Sequence, residues 1–219
     1  MDSIFPRYYL SVEMKKKIYA FDFDGTVTTC DSLIAIIRYI SGNRKLILWI
    51  ASHIHLLLLM KMGLYSNHTL KLRLFRHIFG GMSEQELKEK ATDFAKAYSH
   101  IIRPEAKPII KKALAEGHTV CIISASPSIW VRPFFTDCPG IEFLCTELET
   151  IDGIITGNFI GNNCYGQEKV NRLLSRHPNR DEYKLIAFGD SKGDRELLAL
   201  ADEKHFRELE IRNQELKND

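Results

Sequence analysis

Asp22 and Asp24 stand two residues apart in the run Phe21 to Thr26 (FDFDGT). Ser124 opens the run Ser124 to Ser126 (SAS), and Lys169 lies in a helical stretch. Asp190 and Asp194 bracket the last of these runs, Gly189 to Asp194 (GDSKGD). Four carboxylates brought to one place repel one another, so their coexistence calls for a cation. A donor set of oxygens without His or Cys favours Mg²⁺ over zinc. A single Asp-x-Asp at the end of a strand is as readily a turn cap as a site. A serine at a strand end is ordinarily a helix cap, and a lysine on a helix is ordinarily solvated. The conjunction of all six is what argues for chemistry.

The elements that would hold these residues follow from the hydrophobic pattern. Lys17 to Phe21, Thr119 to Ile123 and Lys184 to Phe188 are short apolar, β-prone runs, and each breaks directly into one of the polar motifs. Buried parallel strands end in this way, with their loops gathered at one sheet edge. Helices are expected over about Glu105 to Glu116, Glu168 to Arg176 and Arg195 to Leu200, a further strand over Ile141 to Cys145, and a hairpin around Asp152-Gly153. Alternating strands and helices argue for a parallel sheet covered on both faces. Between Ser32 and Arg103 the pattern is helical instead, with breaks near Ser41-Gly42-Asn43, Gly63, Ser66-Asn67 and Gly80-Gly81, and reads as an inserted helical domain.

Taken together, FDFDGT, SAS, Lys169 and GDSKGD resemble the four motifs of the haloacid dehalogenase (HAD) superfamily, and the match runs from Lys17 to Leu200. The helical insertion between the first two motifs resembles subfamily IB, typified by phosphoserine phosphatase, and is similar to that of bacterial phosphatidylglycerophosphate phosphatases. The resemblance implies an α/β fold, a Rossmann-like core with a parallel sheet over residues 14–31 and 104–219, and an inserted α-helical cap of the C1 type over 32–103. Residues 1–13 read as an N-terminal extension ahead of Met14. The resemblance also implies a Mg²⁺-dependent phosphatase. Asp22 would be the nucleophile that forms an aspartyl-phosphate, and Asp24 the general acid and then base. A second carboxylate at Asp24 separates phosphatases from true dehalogenases. Ser124 and Lys169 would bind the phosphoryl group. Asp190 would ligate Mg²⁺ with Asp22 and the Asp24 carbonyl, and Asp194 would join through water or orient Lys169.

Substrate is less legible. Asp31 and Arg73 fall roughly where phosphoserine phosphatases place the residues that meet the substrate ammonium and carboxylate. Asp31 is equally well explained as a helix N-cap, and Arg73 as part of a basic face. Ser32 to Ser83 contains no Asp or Glu and carries seven basic residues, so this segment is +7 in a chain of net charge +2. It either faces something anionic or is a solvated face. Leu46 to Met62 is the most apolar stretch, shorter than the roughly 20 residues of a transmembrane helix. It reads as cap core, as an interfacial helix, or as a partner surface. His53 and His55 have no nearby carboxylate or cysteine and read as ordinary polar residues.

A lipid-like or other hydrophobic phosphate is therefore favoured as substrate, with phosphoserine or another small metabolite as the alternative. An inactive relative that binds anionic membranes is the rival from another class. Nucleic acid is not expected, since the basic residues lack an aromatic platform, and no G-x-G-x-x-G follows a strand as a nicotinamide enzyme requires. Five scattered cysteines without a C-x-x-C pair read as reduced thiols, not as a disulfide frame or zinc site. No export signal is apparent, so a cytoplasmic protein is expected, with peripheral contact at the inner membrane face left open by the basic segment.

Overall fold

The structure, a computed structural model, describes residues 16–209. The expected extension over residues 1–13 and the start at Met14 lie outside the described residues. Strand β1 (Lys16–Phe21) runs through the centre of a five-stranded sheet. The sheet also holds β2 (Thr119–Ile122), β3 (Glu142–Phe143), β6 (Tyr183–Gly189) and β7 (Glu203–Phe206), in the order β3-β2-β1-β6-β7, with every pairing parallel. The side-chain period of two divides the core cleanly. Ile18, Ala20, Cys121, Leu185 and Ala187 face one cluster, and Phe21, Ile122, Ile186 and Phe188 face the other, with Phe21 stacked on Phe188 at 4.4 Å.

The register sets the functional edge. Phe21 lies level with Ile122 on one side and Phe188 on the other, so the motifs that follow all emerge together. Hydrogen bonds from Asp22 N to Phe188 O (3.0 Å) and from Ile123 N to Phe21 O (2.8 Å) hold them there. The strand expected over Ile141 to Cys145 is only Glu142–Phe143. The chain beyond it keeps two bonds to β2 and its extension, from Leu144 N to Ile122 O and from Thr146 N to Ser124 O, without a continuous ladder.

Four helices lie between β1 and the return to the sheet: α1 (Ser32–Ser52), α2 (Ile54–Lys61), α3 (Asn67–Phe79) and α4 (Glu84–Ala97). Helix α1 bends at Gly42, which takes a φ of 73°, where the sequence expects a break. Ser83 caps α4 by accepting from Glu86 N at 3.0 Å. Phe75, Phe79 and Phe94 are fully buried, and the first two stack on Trp130 of the short helix α6 (Ser128–Val131), which follows α5 (Ala106–Ala115) and β2. A hairpin of β4 (Glu147–Ile151) and β5 (Ile154–Ile160) turns through Asp152 and Gly153, both at positive φ, and packs against α3. Helices α7 (Gln167–Arg176) and α8 (Arg195–Leu200) cover the other face of the sheet.

The apolar stretch Leu46 to Met62 divides in two. Leu46, Trp49 and Leu56 are buried, whereas Ile47, Leu48, Ile54, Leu58 and Met62 are exposed, Leu48 at 68% and Met62 at 70%. Among the described residues no helix is long and apolar enough to cross a membrane.

Candidate active site

The chain leaves β1 in one wide turn, Phe23 to Val27, closed by Thr28 N donating to Phe23 O at 2.9 Å. Gly25 in this turn has a φ of 80°, and a Cβ there would sit 2.4 Å from Asp190 Oδ2. Only glycine allows the turn to lie so close to the GDSKGD loop. Arg103, itself buried, donates to Gly25 O (3.0 Å) and Thr26 O (3.1 Å) and so fixes the turn from behind.

Asp22, Asp190 and Asp194 bring carboxylate oxygens within 4.8 Å of one another. Lys169, from the first turn of α7, reaches Asp22 Oδ1 and Asp194 Oδ1, both at 2.5 Å. Lys169, Asp22 and Asp194 are buried. Burial pushes the Asp22 carboxyl up, and Lys169 pulls it back. Asp194 is held down by Lys169 and by hydrogen bonds from Ser191, against its own burial. Three carboxylates gather beside one ammonium, with Asp22 and Asp194 buried and Asp190 half open to solvent. A hard divalent cation fits that balance and the all-oxygen donor set. Asp190, half-buried, also accepts from Thr26 Oγ1 at 3.1 Å.

Asp24 is directed differently. Its Oδ1 accepts from Ser32 N (2.7 Å) and its Oδ2 from Ser126 Oγ (2.5 Å), while Ser32 Oγ also donates to Ser126 Oγ and accepts from Trp130 Nε1. Burial and the nearby Asp31 charge push the Asp24 carboxyl above its ordinary value, against the hydrogen bonds from Ser126 and Ser32. Ser124 is buried on the same cavity and accepts from Ser126 N at 3.0 Å.

That cavity, of about 620 Å³, is lined by Asp22, Asp24, Ser124, Lys169 and Asp190 on the sheet side and by apolar residues of α1, α2 and α3 on the other. A second cavity of about 390 Å³ shares none of these residues. Of the two residues assigned to substrate from sequence, Asp31 lines the larger cavity while capping α1 through a bond from Ile34 N. Arg73 does not line it. It is exposed, with its guanidinium 5.8 Å from the Tyr65 ring. Helical spacing turns Arg73 outward and brings Lys71 inward, where Nζ donates to Ala125 O (2.8 Å) and Asn163 Oδ1 (3.0 Å). Burial lowers Lys71 to about 8. Neither Lys71 nor Arg103 stands in a motif, and both reach the site only through the fold. The one available signal was Arg103's place immediately before Pro104, where the α/β rhythm resumes.

The fold and this carboxylate-lysine cluster define a hydrolase class. Residues 19–199 match the haloacid dehalogenase-like hydrolase family, and the chain belongs to it. Protein CicA of Caulobacter vibrioides is 33% identical over 194 residues, covering 87% of this chain and 85% of that protein. Among solved structures, a Bordetella pertussis Tohama I protein of unknown function superposes with a TM-score of 0.74 at 18% identity, over 87% of this chain and 89% of its own. A phosphoserine phosphatase, solved as a phospho-aspartyl intermediate analogue, superposes with a TM-score of 0.58 at 19% identity over 90% of both chains. These structures share the fold.

Proposed function

We propose that the chain is a Mg²⁺-dependent phosphomonoester hydrolase working through an aspartyl-phosphate on Asp22. The observation that carries this reading is the cluster of Asp22, Asp190 and Asp194, with Lys169 bonded to Asp22 and Asp194, open to a cavity of substrate size. Asp22, Asp190 and Asp194, with the Asp24 carbonyl, would hold the cation, and bound there it would offset phosphoryl charge. Asp22 attacks phosphorus. Asp24, whose carboxyl burial pushes up, gives a proton to the departing alkoxide and then takes one from the attacking water. The Ser124 hydroxyl and the Lys169 ammonium stabilise the charge on the transferring group. Helices α1 to α4 act as a cap domain over residues 32–103 and choose the leaving group. An inactive membrane-binding relative is disfavoured, because every member of the reactive set is in contact or on the same cavity.

The leaving group is read as hydrophobic and lipid-like. Trp49, Ile50, Leu57 and Met60 line the cap side of the cavity, and the same helices carry the exposed Ile47, Leu48, Leu58 and Met62 beside Arg44, Lys45 and Lys61. An apolar face rimmed by cations, with no acid across residues 32–83, suits peripheral contact with an anionic bilayer from the cytoplasmic side. A second reading has its own support. Asp31 and Lys71 offer opposite charges to the cavity, as a small zwitterionic ester such as phosphoserine needs. Phosphate release measured over a panel of phosphomonoesters with Mg²⁺, with and without detergent-dispersed lipid phosphates, separates them. Preference for the dispersed lipids supports the first reading, and preference for phosphoserine overturns it. Failure to release phosphate from any ester would refute the phosphatase assignment.

A further inference from the structure

A second group of metal-ligating side chains lies under the opposite end of α7, outside the machinery described above. Cys121 of β2, Glu142 of β3 and His177, which caps the C-terminus of α7, converge with one donor atom each within 4.8 Å of the others. Cys121 Sγ is 3.9 Å from His177 Nε2, which is 3.1 Å from Glu142 Oε2. Around a tetrahedral zinc ion with bonds of about 2.3 Å to sulfur and about 2.0 Å to nitrogen and oxygen, those edges would measure about 3.5 Å and about 3.3 Å. Those two edges need only a few tenths of an ångström of adjustment, and the third, between Cys121 and Glu142, lies within 4.8 Å.

From this geometry we infer that Cys121, Glu142 and His177 bind a borderline-soft divalent cation, of which Zn²⁺ is the natural case, with water completing the fourth position. Three features support it. Each donor is held by a separate rigid element: Cys121 and Glu142 are paired residues of neighbouring strands, and His177 is anchored by its N–H to Leu173 O and by Tyr183 Oη donating to its carbonyl. Glu142 is also held by Arg176, whose Nε donates to it at 2.9 Å, and the His177 Nε2 that faces Glu142 Oε2 would ligate with the ring proton carried on Nδ1. Cys121 is fully buried while Glu142 and His177 are partly exposed, so the group is reached from solvent on the Glu142 and His177 side. Burial and the Glu142 charge push the thiol well up, so metal binding displaces its proton to solvent. Thiolate and imidazole ligands distinguish this site from the all-oxygen cluster at Asp22. Sequence spacing concealed it, since His177 lies 35 residues from Glu142 and 56 from Cys121.

The bound ion would clip α7 to the sheet edge. Lys169, eight residues before His177, rides on the same helix about 12 Å away at 1.5 Å per residue. The test uses the full chain stripped with chelator, reduced with a phosphine, held in excess Mg²⁺ and titrated with Co²⁺. One equivalent is expected to produce a thiolate-to-cobalt charge-transfer band with tetrahedral ligand-field bands. The Asp22 cluster cannot produce that band because it has no sulfur. Cys121→Ser and His177→Gln should each abolish it, and Asp190→Asn should leave it intact. Zn²⁺ should raise the melting temperature of the unsubstituted chain by several degrees and that of His177→Gln by far less. Absence of a thiolate band in folded, unsubstituted protein with excess Co²⁺, or a band that survives in Cys121→Ser and His177→Gln, would overturn the assignment. His177 is partly exposed, so its variant keeps the test decisive if Cys121→Ser folds poorly.

Discussion

Asp22, Asp24, Ser124, Lys169, Asp190 and Asp194 converge because each follows the end of an apolar run or opens a helix at one sheet edge, a position the sequence itself marks. Arg103 and Lys71 are not so marked. Arg103 acts on Gly25 and Thr26, 78 and 77 residues away, and Lys71 on Ala125 and Asn163, 54 and 92 residues away. Only the closed fold makes these pairs. Replacing Arg103 by Met leaves the Gly25 and Thr26 carbonyls without their donor, at a cost of about 2 kcal/mol or more in a denaturant titration. Gly25→Ala should act on the site more than on the fold. A Cβ at positive φ costs about 1 kcal/mol, but it also collides with the Asp190 carboxylate, so the Mg²⁺ concentration for half-maximal hydrolysis of p-nitrophenyl phosphate should rise tenfold or more. An unchanged Mg²⁺ requirement would count against Asp190 as a ligand. Lys71 titrates near 8 because it is buried, so its charge is present below that pH and lost above it. The KM for an anionic ester should rise by up to tenfold per pH unit above about 8, and Lys71→Arg should move that rise beyond pH 10. The sign for stability is the reverse: the unfolded chain holds the proton more tightly, so the fold gains as pH climbs from about 8 to 10.5.

The central strands were legible, and of the two edge strands β3 was expected, though longer than it is, while β7 was not. β1, β2 and β6 are near-continuous apolar runs, as strands buried on both faces must be. β7 (Glu203–Phe206) escaped notice because its sequence, EKHF, alternates partly buried with exposed side chains and pairs with β6 on one side only. The helical region was legible as helical, but its apolarity could not say which residues face inward. Trp49 is buried and its neighbour Leu48 is exposed, and composition treats them alike. Their separation carries a prediction about α1 and α2. Leu48→Glu with Leu58→Glu puts charge on the exposed face without touching the cavity lining, so association with anionic vesicles should fall by an order of magnitude or more in a flotation assay. Turnover of a small soluble ester should stay within about twofold. Equal flotation of the double variant and the unsubstituted chain would remove these helices from any membrane contact.

Taken whole, the molecule separates a parallel sheet that carries the reactive groups from four helices that wall the cavity, and the charge is divided in the same way. The +7 of residues 32–83 stands against −5 for the rest of the chain. The proposed division, chemistry in the sheet and selection in the helices, rests on Asp22 as the group that would receive the phosphoryl. The direct measurement is mass analysis of peptides from Asp24→Asn protein, quenched in acid after mixing with p-nitrophenyl phosphate and Mg²⁺. With the acid and base removed, dephosphorylation slows, so the peptide containing Asp22 should carry one added phosphoryl group that hydroxylamine removes. A chain that turns over this ester yet never shows the modification on that peptide, and keeps its activity as Asp22→Asn, would contradict the account.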